Sequence, residues 1–218
     1  MPAPSFRAAL GLVRSTYAAA PRAVYLHAVG RFLTCPMLRV LERLPPGGRV
    51  LDLGAGHGTF ARLAVAAGAA RVVAVEPDRR KVLPSYRHPR VAFVAGYADA
   101  LSGEGSPFDA VTVLDVLYRI PLAGWDPLLR HAHGLLAPGG LLLLKEIDPE
   151  DRWKGAWNRA QEKAADLLGL TLGDAFAYET RQQMRERLTR LGFTDFAAHD
   201  LGAGYPHAHI LYIARRPG

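Results

Sequence analysis

Five short, strongly apolar runs, each followed by a turn or a helical stretch, constrain this chain more than any other feature. They are "RVLDLG" (49–54), "RVVAVE" (71–76), "RVAFVAG" (90–96), "FDAVTVLDVL" (108–117) and "LLLLKEI" (141–147). Strands this apolar bury both faces, as parallel strands between helix layers do. The chain is therefore expected to be an α/β protein with a mostly parallel sheet. Helices are expected between the strands: from about Gly58 to Ala67, a short one in "PDRRKVLPSY", and one over 126–136 that ends at "APGG".

The flanks read differently. Residues 5–44 are expected to be helical, with Phe6, Ala9, Leu10, Val13 and Tyr17 on one face and Pro21 opening a second helix. "PPGG" at 45–48 stops this segment and marks the entry to the main domain. After Ile147, residues 151–170 predict an extra helix. Thr180 and Gln183 form a capping box for another, which ends at Gly192. "FTDFAAHDL" and "HAHILYIARR", joined by "GAGYP", are expected to pair as a hairpin.

The 218 residues suffice for one domain with a sizeable core. Cys35 is the single cysteine, which excludes a disulfide framework and a Cys-rich metal site and points to a reducing, cytoplasmic setting. The apolar runs near the start are too short for a signal core or a membrane span. Charge is unevenly placed. Residues 1–50 hold seven arginines against one acid, Glu42, a net +6 out of +7 for the whole chain. A solvated helix face explains this most simply; transient contact with an anionic membrane surface is the alternative. Nucleic acid is disfavoured, because Tyr17, Tyr25 and Phe32 read as core residues rather than an exposed stacking face.

"VLDLGAGHG" (50–58) places Gly54, Gly56 and Gly58 at alternate positions. A dinucleotide fingerprint needs its third glycine one place later, where Thr59 stands. Asp52, just ahead of the turn, would repel a diphosphate and suits a ligand with an ammonium. Glu76, at the end of the second strand, can accept both hydroxyls of a ribose. A ribose, an ammonium and no phosphate describe S-adenosylmethionine.

With "VVAVEPD", "FDAVTVLDVLYRIP" and "LLAPGGLLLLKEID" in order behind this turn, the chain resembles the class I S-adenosylmethionine-dependent methyltransferases over about residues 48–147. The resemblance implies a three-layer Rossmann-like sandwich whose seven-stranded sheet ends in an antiparallel hairpin. Residues 1–47 would be a helical cover, 48–218 the methyltransferase domain, and 149–178 part of an acceptor cap. It implies that Gly54, Ala55 and Gly56 lie against the methionine part, with Asp52 near its ammonium, Glu76 on the ribose and Pro77 near the adenine. Leu114 and Asp115 would lie near the reactive methyl. Relatives often carry an acid after the third strand where this chain has Tyr97, so Asp99 or the Ala98 backbone is expected to hold the adenine.

Asp115 and Tyr118 are the candidate catalytic residues; His57 is expected to be packing or solvated. Arg31 or Tyr25 is a further candidate for the methionine carboxylate. His131 and His133 are expected to be inert on a surface helix. His207 and His209 alternate on one strand but lack a third ligand, so no metal is expected. Trp153 and Trp157, at i and i+4, are expected to pack. The reading is methyl transfer to a small-molecule or lipid-like acceptor. The alternatives are an RNA or protein acceptor, or a non-catalytic nucleotide-binding protein recruited to membranes.

Overall fold

The computed structural model describes residues 3–82, 88–97, 101, 107–150 and 177–218. Seven strands form one sheet: β1 (Arg49–Leu53), β2 (Arg71–Glu76), β3 (Val91–Ala95), β4 (Phe108–Leu114), β5 (Leu136–Ile147), β6 (Thr194–Asp200) and β7 (His209–Arg215). Their order is β3-β2-β1-β4-β5-β7-β6. β1 to β5 pair in parallel, and β7 runs antiparallel to both β5 and β6. The order reverses between β1 and β4, the place where open α/β sheets bind ligands at the carboxyl ends of their strands.

Strand residues alternate between two cores. Val50, Val72, Ala74 and Ala110 face a cluster built with helices α1 (Phe6–Thr16), α2 (Arg22–Thr34), α3 (Met37–Leu41) and α4 (Thr59–Ala66). Leu51, Val73, Val75 and Val111 face a second cluster with α5 (Trp125–Leu135) and α6 (Arg181–Arg190). A period of two with apolar residues on both faces gives the three-layer sandwich expected from the runs. Pro21 is the N-cap of α2, and the Thr180–Gln183 capping box opens α6 with both reciprocal hydrogen bonds. Ala9 and Val13 of α1 and Tyr17 at its C-cap are buried as the periodicity predicts, whereas Phe6 is exposed and its ring meets Phe32 at 5.4 Å.

Two boundaries differ from expectation for local reasons. β4 stops at Leu114, not 117, because Asp115 has φ +60°, outside the extended region. β5 starts at Leu136, not 141. Leu136 pairs with Phe108 before residues 137–140 loop out, and the ladder resumes with Leu141 opposite Ala110. A Cβ on Gly140 would sit 2.9 Å from the Ala137 carbonyl oxygen, so glycine permits this close approach. "PDRRKVLPSY" supplies only a 3₁₀ turn at Arg79–Lys81 among its described residues. The helix expected over 151–170, with Trp153 and Trp157, lies outside the described residues, as does most of the 149–178 cap.

Polar contacts bind the N-terminal helices to the sheet. Tyr17 Oη donates to the His57 carbonyl at 2.7 Å and lies 2.9 Å from Thr59 Oγ1, holding the start of α4. Arg31 donates to the Leu114 carbonyl at 3.0 Å, and Arg39 to the carbonyls of Leu201 and Ala203. His209 Nε2 donates to the Thr34 carbonyl at 2.8 Å. Three of the seven N-terminal arginines thus serve internal contacts, Arg49 lying over the Phe108 ring at 5.2 Å; Arg7, Arg14, Arg22 and Arg43 are exposed.

Candidate active site

The turn after β1 needs its glycines for different reasons. All three have positive φ: +74° at Gly54, +57° at Gly56 and +78° at Gly58. A Cβ on Gly54 would stand 2.4 Å from Val116 Cγ2, and one on Gly58 would stand 2.2 Å from Phe93 Cζ. These two let the post-β4 segment and β3 close against the turn. A Cβ on Gly56 would meet nothing within 4 Å, because that backbone faces a cavity of about 670 Å³ across the strand tips.

Two carboxylates flank this backbone. Glu76, 5% exposed, accepts Gly56 N–H at Oε2 (2.8 Å) and Asp78 N–H at Oε1 (3.1 Å), with Lys81 Nζ at 3.4 Å. Asp52, 2% exposed, accepts from Thr112 Oγ1 at 2.8 Å through Oδ1, while its buried Oδ2 has no hydrogen-bond partner among the described residues. Burial pushes the Asp52 carboxyl up to about 7, although the Thr112 hydroxyl and the Arg31 charge oppose the rise. An orphaned carboxylate oxygen at a cavity wall fits a cationic ligand group, and the open Gly56 backbone fits close approach of a ligand.

Asp115 lies in a buried ion cluster. The Lys145 ammonium, with no solvent exposure, bonds its Oδ1; Arg31 reaches Oδ2 at 3.1 Å, and the Cys35 thiol points to the same oxygen at 3.6 Å. Burial alone would raise the Asp115 carboxyl, but the two cations outweigh it and hold it down at about 2. Both oxygens of this candidate base are committed, and a carboxylate so acidic is a poor proton acceptor near neutrality. Tyr118 is not among the cavity-lining residues. Its hydroxyl accepts from Arg119 Nε at 3.0 Å, and its ring stacks on Tyr178 at 6.2 Å.

Glu146 supports the post-β4 segment, a role that its sequence context does not signal. Its Oε1 accepts the N–H groups of Val116 (3.2 Å) and Leu117 (2.9 Å). Burial first, then the Asp115 charge, pushes its carboxyl up to about 8. The native state therefore holds a proton that the unfolded chain releases between about pH 4.5 and pH 8. Stability from this group is fully present below that window and is lost as pH rises through it. Glu146→Gln keeps the acceptor and removes the titration. Urea melts of the variant are expected to lose this part of the decline between about pH 5 and pH 8.

Of the residues singled out from sequence, Asp52, Gly54, Ala55, Gly56, Glu76, Pro77, Leu114 and Asp115 line this cavity. Ala98 and Asp99 lie outside the described residues. Tyr97 is 72% exposed and also borders the cavity, as do His57 and Arg31; Tyr25 does not. His131, expected to be inert on a surface helix, lies against the cavity beside Leu128, because α5 turns that face inward. His133 instead meets Phe193 edge to face at 4.8 Å. His207 precedes β7, and His209 Nε2 is engaged by Thr34, so the expected alternation on one strand is not formed. Sequence reasoning did not place His27, Lys81, Ile120 or His131 at the site; their periodicity reads as ordinary helix or loop.

A family model described as a methyltransferase domain matches residues 25–198. The ubiquinone biosynthesis O-methyltransferase of Methylocella silvestris is 34% identical over 119 residues, 52% of this chain and 45% of that enzyme. The chain thus spans less than half the length of that relative. The demethylmenaquinone methyltransferase of Clavibacter sepedonicus is 31% identical over 184 residues, 75% of this chain and 72% of that one. Among solved structures, the Burkholderia thailandensis 1,6-didemethyltoxoflavin-N1-methyltransferase superposes with a TM-score of 0.65 at 19% identity, covering 100% of this chain and 93% of that one. With the 3-2-1-4-5-7-6 sheet and the glycine turn in place, the chain belongs to the class I S-adenosylmethionine-dependent methyltransferases.

Proposed function

We propose that this chain transfers the methyl group of S-adenosylmethionine to a small-molecule acceptor. The observation that carries the reading is the pair of buried carboxylates, Asp52 and Glu76, on either side of the open Gly56 backbone in one cavity. Relatives named for ubiquinone, menaquinone and toxoflavin methylation support a small acceptor.

Asp52 would receive the ammonium of the cofactor and Glu76 its ribose hydroxyls, while Pro77, with Gly96 and Tyr97 after β3, would border the adenine. When bound, S-adenosylmethionine supplies a methyl on a sulfonium, whose C–S bond pair passes to sulfur as the acceptor's lone pair forms the new bond. The chain's part is mainly alignment and exclusion of water, which can supply on the order of 7–11 kcal/mol. Asp115 would act as a positioning residue, holding Arg31 at the cavity wall, rather than as a base. Residues 1–47 would cover the site through α2 and α3, which contribute His27, Arg31 and Met37 to its lining.

Calorimetry with S-adenosylmethionine and with NAD, followed by transfer of labelled methyl to a low-molecular-weight cell extract, tests the reading. Binding of the first cofactor and a labelled small product are expected; no binding, or selective binding of NAD, would overturn it. Proton release is a separate check. Asp52 is half protonated near pH 7, and an ammonium beside it favours the ionised form. Cofactor binding is therefore expected to release protons near about pH 6.5 and to stop doing so by about pH 9, where Asp52 is already ionised. Calorimetry in buffers of different ionisation enthalpy reads this, and Asp52→Asn should abolish it.

The exposed Arg7, Arg14 and Arg22 beside exposed Phe6, Leu26 and Leu33 favour a secondary reading of contact with anionic membrane. Among the described residues no helix is long and apolar enough to cross a membrane. Flotation with anionic and neutral liposomes at two salt concentrations checks this; equal recovery on both would exclude it.

A further inference from the structure

The cavity is lined by acids and bases together. Its acids stand at the strand tips, and each is accounted for: Glu76 by backbone N–H groups and Lys81, Asp115 by Lys145 and Arg31, and Asp52 by Thr112 with one oxygen left for a cation. His27 from α2 and Arg119 from the segment after β4 line the same cavity. The His27 ring meets His57 edge to face at 5.7 Å. Among the described residues neither His27 nor Arg119 has a carboxylate partner. Arg119 spends Nε on the Tyr118 hydroxyl and lies over the Tyr118 ring at 5.3 Å.

Burial first, then the neighbouring His57, Arg31, Arg119 and Lys81, hold the His27 imidazole below its ordinary value, so its ring is a neutral hydrogen-bonding group beside the Arg119 charge. Arg31 is already held by Asp115 and the Leu114 carbonyl. Bound cofactor would add a sulfonium to this cation-rich space. Its single carboxylate can neutralise one cation, and Arg31 is the cation beside Asp52. That leaves the Arg119 guanidinium, with the neutral His27 ring, in a cavity also lined by apolar Ile120 and Leu128.

We infer that the acceptor is a small, largely apolar molecule carrying an anionic oxygen group, a carboxylate or an acidic hydroxyl, received by Arg119 and His27. The guanidinium offers paired N–H donors of the geometry that suits such a group. This inference rests on the methyltransferase reading, since it assigns the cofactor to Asp52 and Glu76.

The test uses the full chain saturated with S-adenosylhomocysteine, titrated with benzoate, its neutral isostere benzamide, and benzylamine. Benzoate is expected to bind at least about tenfold tighter than benzamide, with benzylamine weakest, and the gap should narrow in high salt. In Arg119→Gln the preference for benzoate should fall below about threefold, and Arg119→Lys should restore part of it. Arg119 is exposed, so unchanged thermal melts are expected to show that the variants fold. A 2,4-dinitrophenolate arm distinguishes an acidic hydroxyl from a carboxylate as the favoured group. Equal binding of benzoate and benzamide, or a preference that survives Arg119→Gln, would overturn the inference and leave the cofactor reading standing. Failure of S-adenosylhomocysteine itself to bind would overturn both.

Discussion

Replacing Lys145 with methionine is expected to destabilise the fold by about 3 kcal/mol or more, read by urea unfolding near neutral pH. Lys145 has no solvent exposure, and its ammonium is bonded to Asp115, itself nearly buried. Methionine fills similar volume, so the loss comes from a carboxylate left in the interior with only the half-buried Arg31 beside it. Asp115→Asn added to Lys145→Met removes that stranded charge, and asparagine tolerates the positive φ at this position. The double variant should therefore be more stable than Lys145→Met alone. A loss below about 1 kcal/mol in the single variant would show that the pair contributes no more than a surface ion pair. The acid limb also reports the cluster. Asp115, held down at about 2, contributes stability that is present above its unfolded value and is lost as pH falls towards 2. In Lys145→Met this loss should begin at a higher pH.

Glu76→Ala is expected to weaken binding of S-adenosylmethionine by more than ~1.5 kcal/mol, over tenfold, because charge-assisted hydrogen bonds to the ribose would be lost. The same carboxylate accepts Gly56 and Asp78 N–H groups, so the alanine variant also leaves backbone donors unpaired near the turn. Glu76→Gln separates the two effects. It retains an acceptor oxygen but loses the charge, so most of the weakening should persist with less cost to stability. Calorimetry for affinity, paired with thermal melts for the fold, measures both. Unchanged affinity in both variants would remove Glu76 from the site.

The fold was largely legible because its signals are local. Runs such as Val72–Val75 and Leu141–Leu144 carry enough branched and apolar residues to read as buried strands without any partner in view. Caps and stops were equally readable: Thr180 with Gln183, and "PPGG" before β1. Misplaced boundaries fell where a long-range contact overrode local preference. Leu136 joins the sheet only because Phe108 lies beside it, and β4 ends where Asp115 is drawn out of the strand conformation amid Lys145, Arg31 and Cys35.

From sequence alone came the α/β class, the glycine turn and the two acids that flank it, because each depends on residues close together in the chain. Only the tertiary structure decided what those acids and the remaining charged residues do. Asp115 reads from sequence as a candidate catalytic carboxylate, yet residues 30 and 84 positions away bring it two cations. His27 and Arg119 come to line one cavity only when α2 packs against the end of β4, where Arg31 reaches Leu114 and Asp115. Propensity and capping act over a few residues, whereas burial and Coulomb interactions depend on distance in space, which the order of residues along the chain does not specify.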